Sequence, residues 1–153
     1  MIPCGKRYGK AYATSREIEG VAVWVPGKYA DMNMWGMLRS GAFIYGAKMG
    51  RESLSNLSIV SNHLKPSRKK LMKNKPYEYL MIIGISPASQ GNGLGSKLVD
   101  AMNKEATRKG VYIYLETESE ENLQFYEKHG FTVLQEIVLD KLSLPMWLME
   151  RQP

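Results

Sequence analysis

Apolar and polar residues first organise themselves in two short runs, Lys10 to Thr14 and Gly20 to Val25, separated by polar Ser15 to Glu19. Two β-prone runs with a short polar join predict an antiparallel hairpin over 10–25. Pro26-Gly27 ends its second strand, because proline cannot donate to a ladder and glycine favours a turn. Residues 31–73 then read as a helical segment. Asp31 is placed to cap a helix whose apolar stripe is Met34, Leu38, Ala42, Tyr45 and Met49, although Gly36, Gly41 and Gly46 weaken it. A second helix is predicted from Arg51 to Leu64, with Leu54, Leu57 and Leu64 inward and Pro66 breaking or restarting it.

The pattern changes at Tyr77. Leu80-Met81-Ile82-Ile83-Gly84-Ile85 is almost continuously apolar, which predicts a strand covered on both faces and stopped by Pro87. Leu94, Leu98, Ala101 and Met102 define a helix that closes on Arg108, Lys109 and Gly110, with cations and a glycine where a helix C-terminus favours them. Val111 to Glu116 is a further strand, and Glu120 to His129 a short helix ended by Gly130. Phe131, Val133, Ile137 and Leu139 alternate along the next strand, and Met146 to Met149 supply the last. The second half is thus strand, helix, strand, helix, strand, strand, an α/β or α+β sheet domain.

Length and composition narrow this picture. The 153 residues, 44% hydrophobic and 24% charged, suit one domain over 1–153 with a real core. No apolar run is long enough for a bilayer, and the first residues lack the apolar stretch of a secretory signal. Cys4 is the single cysteine, so an intrachain disulfide and a cysteine-based metal cluster are excluded, and no metal site is expected. A soluble cytoplasmic protein is the simplest expectation, without membrane attachment. The net charge of +6 favours anionic partners, and much of it sits in Lys65, Arg68, Lys69, Lys70, Lys73 and Lys75. That run reads as a solvated helix face or linker; no RNA-recognition or zinc-finger pattern accompanies it, so nucleic acid is not an expected partner.

The chemistry concentrates in Ile83-Gly84-Ile85-Ser86-Pro87-Ala88-Ser89-Gln90-Gly91-Asn92-Gly93-Leu94-Gly95-Ser96. A strand runs into a glycine-rich loop and straight on into a helix, whose unpaired amides and partial positive charge favour phosphate. Glycines at 91, 93 and 95 let backbone approach an anion closely, and Ser96 adds a hydroxyl. The dinucleotide fingerprint fails because Ser96 stands where its third glycine is needed. A P-loop fails because Ser96-Lys97 reverses the required order.

Gln90-x-x-Gly93-x-Gly95 matches the Q/R-x-x-G-x-G/A motif of GNAT acetyltransferases, and Asn122-x-x-x-Tyr126-x-x-x-Gly130-Phe131 resembles the second signature of that family. The resemblance is sharp from Tyr77 to Phe131 and looser from Lys10 to Val25 and after Thr132, in the C-terminal strands of 131–151. It implies a GNAT-like acyl-CoA N-acyltransferase fold: a mixed, mostly antiparallel sheet with a central splayed pair of parallel strands, flanked by helices. The acetyl-CoA binding core would span 77–131. Family members usually carry a strand and helices before the hairpin. Little precedes Lys10 here, so that part is either missing or replaced by the helices between Ala30 and Lys73.

The resemblance also implies roles. Backbone groups of Ile83, Gly84 and Ile85 would pair with the pantetheine amides, and Gln90, Gly91, Asn92, Gly93, Leu94, Gly95 and Ser96 would hold the pyrophosphate. Asn122 either hydrogen-bonds the pantetheine or caps local backbone. Tyr126 matches the general acid for the leaving thiolate; a core tyrosine is the bland alternative. For the general base, Glu116 comes first, then Glu118 and Glu78, while His63 and His129 are poor choices. The expected activity is N-acetylation of a primary amine on a small molecule, with acetyl-CoA as co-substrate and Trp24, Trp35, Tyr45 and Trp147 around the acceptor. A protein or peptide acceptor, and a non-catalytic acyl-CoA-binding module, are the alternatives. An exposed sheet edge leaves a homodimer open.

Overall fold

The computed structural model describes residues 2–4, 9–31 and 51–153. Their elements are β1 (Ile2–Cys4), β2 (Lys10–Ala13), β3 (Gly20–Pro26), α1 (Arg51–Leu71), β4 (Tyr77–Ile85), α2 (Leu94–Lys109), β5 (Tyr112–Thr117), α3 (Glu120–Lys128), β6 (Thr132–Leu139) and β7 (Leu144–Arg151). The strands form one sheet in the order β1-β2-β3-β4-β5-β7-β6. Every neighbouring pair is antiparallel except β4 with β5.

That parallel pair decides where the site lies. β4 and β5 match register only from Tyr77↔Tyr112 to Tyr79↔Tyr114, whereas β4 stays paired to β3 as far as Ile85 and β5 to β7 as far as Thr117. Each strand follows its outer neighbour, so the sheet opens into a fork beyond Tyr79 and Tyr114. A register irregularity between Val23 and Trp24, opposite Ile82 and Leu80, lies at the same level of the fork.

Two apolar cores cover the two faces, as the alternation of side chains along a strand requires. Ile113 and Leu115 of β5 face α2 and α3, packing with Trp24, Leu98, Val99, Met102, Phe131 and Trp147. Tyr114, between them, faces the other way and joins Leu64 of α1, Met72, Leu139, Met146 and Leu148. Trp24 and Trp147 are thus core residues, while the other two aromatics expected around an acceptor, Trp35 and Tyr45, lie outside the described residues.

Several sequence expectations change, and one lies outside the described residues. The helix carried by Met34, Leu38, Ala42, Tyr45 and Met49 falls outside the described residues, and Asp31, read as its cap, accepts a hydrogen bond from Arg68 at 3.1 Å. Pro66 does not stop α1, which runs through it to Leu71. An interior proline costs about 3 kcal/mol; here its ring lies on the exposed face while Leu64, Arg68 and Met72 bury the opposite one. Arg68 therefore leaves the solvated basic face to which it was assigned. β4 is not covered on both faces throughout: Leu80 is buried, but Ile82 is 51% exposed where the fork removes its neighbour. Val133 is also exposed, since a register shift between Val133 and Gln135 turns the alternation of β6. No helix among the described residues is long and apolar enough to cross a membrane.

Candidate active site

The fork opens into a cleft of about 590 Å³, walled by Ile83, Gly84 and Ile85 of β4, by the loop into α2, and by Glu121, Asn122, Phe125 and Tyr126 of α3. Its loop wall comprises Ser89, Gln90, Gly91, Gly93, Leu94, Gly95 and Ser96. A short 3₁₀ turn, Pro87–Ser89, carries the chain off β4, and Ser86 N–H donates to the Glu19 carbonyl of the hairpin at 2.7 Å. The Gln90 amide reaches back to the Ile85 carbonyl at 3.4 Å, and the Asn92 amide donates to the Ser89 carbonyl at 3.3 Å. Asn92 braces the loop in this way and is not among the residues lining the cleft.

Gly91 and Gly93 have φ of +78° and +70°, the left-handed region that L-residues avoid. Gly93 is the N-cap of α2, and no side chain caps that helix. A Cβ built on Gly84, Gly91 or Gly93 meets no protein atom within 4 Å. These glycines leave room for something other than this chain's own packing. Gly95 differs, because its Cβ position lies 3.5 Å from the Phe125 ring, in ordinary packing contact with α3 rather than in open space. The cradle therefore fits a diphosphate: unpaired amides at the start of a long helix, bare backbone around them, and an open trough leading along β4.

On α3, Ser119 caps the helix by accepting from the Asn122 N–H at 3.2 Å, which the sequence reading missed. Tyr126, one turn on, is only 5% exposed yet borders the cleft. Its ring stacks edge-on with Phe125 and Phe131, at centroid separations of 5.2 and 5.6 Å. Burial, and after it the charge of Glu118, pushes the Tyr126 phenol up to about 12. Phe125, Glu121 and Ser89 also line the cleft and were missed; Phe125 reads in sequence as one more apolar residue of the helix, and the others carry no sequence signal.

The carboxylates separate clearly. Glu116 points to the α1 face and does not line the cleft. Its carboxylate accepts from Arg68 at 2.8 Å, from the Tyr79 hydroxyl at 2.9 Å and from the Tyr114 hydroxyl at 3.0 Å. Burial, then the charge of Glu116, drives both of those phenols up. Glu78 is tied to Lys109 at 2.9 Å on the α2 face, and Glu118 is exposed. His129 caps the end of α3, with Nδ1 3.1 Å from Asp100 Oδ1 and Nε2 3.1 Å from Ser96 Oγ. His63 is exposed on α1.

Residues 68–133 match the model of the acetyltransferase (GNAT) domain. An uncharacterized N-acetyltransferase of Schizosaccharomyces pombe is 30% identical over 144 residues, which is 90% of this chain and 58% of the relative. The chain thus spans less than two thirds of that protein. Among solved structures, one described as histone acetyltransferase HPA2 and related acetyltransferase, from Corynebacterium glutamicum, superposes with a TM-score of 0.55 at 25% identity, over 97% of this chain and 68% of that one. A polyamine N-acetyltransferase of Drosophila melanogaster, which forms N-acetylagmatine, superposes with a TM-score of 0.59 at 14% identity, over 89% of this chain and 70% of that one.

Proposed function

Because the chain belongs to the GNAT acetyltransferase family, we propose that it is an acetyl-CoA-dependent N-acetyltransferase acting by direct attack of an amine, with a small primary amine as acceptor. The single observation that supports this most is the forked sheet beside a loop whose glycines hold open space. The backbone around Gly91, Gly93, Leu94 and Ser96 presents amides to the diphosphate, and the exposed edge of β4 at Ile83, Gly84 and Ile85 offers hydrogen-bonding groups to the pantetheine amides. Bound acetyl-CoA supplies the thioester carbonyl that a neutral amine attacks. A backbone N–H near Ile83 or Gly84 is the donor to the oxyanion that develops there. Tyr126 donates its phenolic hydrogen to the departing sulfur.

Glu116 serves the geometry of the fork rather than accepting the amine's proton, since its oxygens already hold Arg68 and two hydroxyls. Glu118, whose charge acts on Tyr126, takes that proton through water. A small acceptor is supported by the polyamine acetyltransferase sharing the fold, and a protein acceptor by the histone acetyltransferase description of the bacterial neighbour. The +6 charge disfavours polycationic acceptors of both kinds, histone tails and polyamines alike, and weighs toward a small amine of low charge.

The test combines calorimetric titration of acetyl-CoA with a thiol-release screen over small amines and N-terminal peptides. Gly84→Val is the informative variant. Its side chain enters empty cleft space, so the fold is expected to keep its melting temperature while acetyl-CoA affinity falls by at least about tenfold. Unchanged affinity in a folded Gly84→Val protein removes β4 from the site. Release from peptides but not from small amines overturns the acceptor class.

A further inference from the structure

We propose that His129 is a positioning residue for the diphosphate end of acetyl-CoA, holding the Ser96 hydroxyl and linking cofactor affinity to the protonation of an imidazole. The inference rests on the Gln90–Ser96 loop being the diphosphate seat. The observation behind it is a chain of contacts at the mouth of that loop: Asp100 Oδ1 to His129 Nδ1, and His129 Nε2 to Ser96 Oγ, both 3.1 Å. Ser96 lines the cleft within the first turn of α2, and Asp100 stands four residues further along the same helix. The residue is held from other sides as well, at its ring and at its backbone. The Phe125 ring meets it edge-on at 4.6 Å, and the Asn103 amide donates to the His129 carbonyl at 3.1 Å.

The hydrogen bookkeeping gives this arrangement a direction. A carboxylate only accepts, so Nδ1 carries a hydrogen toward Asp100. In the neutral ring Nε2 is then bare and accepts the Ser96 hydroxyl hydrogen, which turns oxygen lone pairs toward the cleft. In the imidazolium, Nε2–H donates to Ser96 Oγ instead. The serine hydrogen is thereby released to a phosphate oxygen, and a positive charge stands behind it. A dianionic diphosphate selects the second state, so binding takes up a proton.

The charged groups around the ring divide by element. Asp100 faces it from α2; Lys104 and Arg108 line, with Asp100, a neighbouring hollow on that helix. Arg151 of β7 comes within 3.7 Å of the Cβ position of Gly130, the next residue. Glu127 and Lys128 precede it on α3. Among side-chain types, imidazole is the one whose charge changes between about pH 5 and 8.

The test titrates acetyl-CoA into the wild type, His129→Gln, His129→Ala, Ser96→Ala and the double alanine variant from about pH 6 to about pH 8. The glutamine amide reaches the Nε2 position and donates to Ser96 without titrating. Wild-type affinity is expected to tighten by about threefold to tenfold toward pH 6, relative to His129→Gln at each pH. That comparison removes the contribution of the ligand's own phosphate monoester, which titrates near pH 6 in every variant. His129→Ala and Ser96→Ala are each expected to weaken binding about fivefold, with no further loss in the double variant. Affinity for S-acetyl-pantetheine, which lacks the phosphates, is expected to be unaffected by either change. Parallel pH profiles for wild type and His129→Gln, or additive losses in the double variant, overturn the role of His129 alone. A folded wild type that binds no acetyl-CoA overturns the diphosphate seat and this inference together.

Discussion

At the scale of single residues, Tyr126 shows how environment limits chemistry. A phenol held up near pH 12 stays protonated throughout the working range of an acetyltransferase, but it also resists giving its proton away. Thiols have an ordinary pKa of about 8.5, so complete transfer from Tyr126 is uphill even once the sulfur is fully expelled. In the proposed reaction, Tyr126 therefore acts chiefly as a hydrogen-bond donor to the developing thiolate. Tyr126→Phe is expected to lower kcat by about tenfold to a hundredfold, toward the low end for general acids, with acetyl-CoA affinity nearly unchanged. The sign of the pH effect follows: because the raised value keeps the donor protonated below about pH 12, the kcat profiles of wild type and Tyr126→Phe share one shape up to pH 10. A wild-type alkaline limb below pH 10 that vanishes in Tyr126→Phe would contradict that role. The tyrosine was legible in the sequence because a motif with fixed spacing carried it. Its raised phenol was not, since that depends on which aromatic rings close over it.

Between elements, the fork is held by groups that the sequence placed in other roles. Arg68 was one cation in a basic run and Glu116 a base, yet they meet across 48 positions of chain at the level where β4 and β5 part. Tyr79 and Tyr114 are the last paired residues of the two strands, and both hydroxyls end on the Glu116 carboxylate. The guanidinium also lies 4.9 Å over the Tyr79 ring. Periodicity exposes neither contact, because a charge looks solvated until a distant partner folds onto it. The ion pair is nearly closed to water, with side-chain exposures of 3% and 9%. Breaking it by Arg68→Met is expected to cost about 3–5 kcal/mol, since it strands a buried carboxylate. Adding Glu116→Gln should restore most of that loss, because the amide is neutral, accepting from one hydroxyl through its oxygen and donating to the oxygen of the other through its NH2. Urea unfolding of the single and double variants checks both statements. A double variant no more stable than Arg68→Met would show that Arg68 acts through packing alone. Pro66 failed as a helix stop for a related reason: the local cost was visible in sequence, whereas the burial of Leu64, Arg68 and Met72 that outweighs it was not.

Over the whole molecule, the order of elements from Tyr77 onward was readable because strands and helices of ordinary length alternate with clear breaks. What joins the hairpin to that core was not readable. Glu105 of α2 accepts from Lys10 and Tyr12 of β2 and pairs with Lys109 at 2.9 Å, while Lys109 reaches Glu78 of β4. One carboxylate thus links the outer hairpin, the helix that begins at the glycine-rich loop, and the strand that forms one wall of the cleft. Burial alone would raise the Glu105 carboxyl, but hydrogen bonds from Lys10, Tyr12 and Lys109 outweigh it and bring the value down to about 2. A folded value below the unfolded 4.5 means that this link stabilises the protein above pH 4.5 and is lost as pH falls through about 2. Glu105→Gln is therefore expected to be less stable than wild type by about 1–3 kcal/mol at pH 7, with the gap closing between pH 4.5 and 2. Urea midpoints measured at intervals across that range read the difference directly. A gap that stays constant down to pH 2 would mean that the ionised carboxylate contributes nothing, and that the hairpin is held to the core by Trp24 and its apolar neighbours alone.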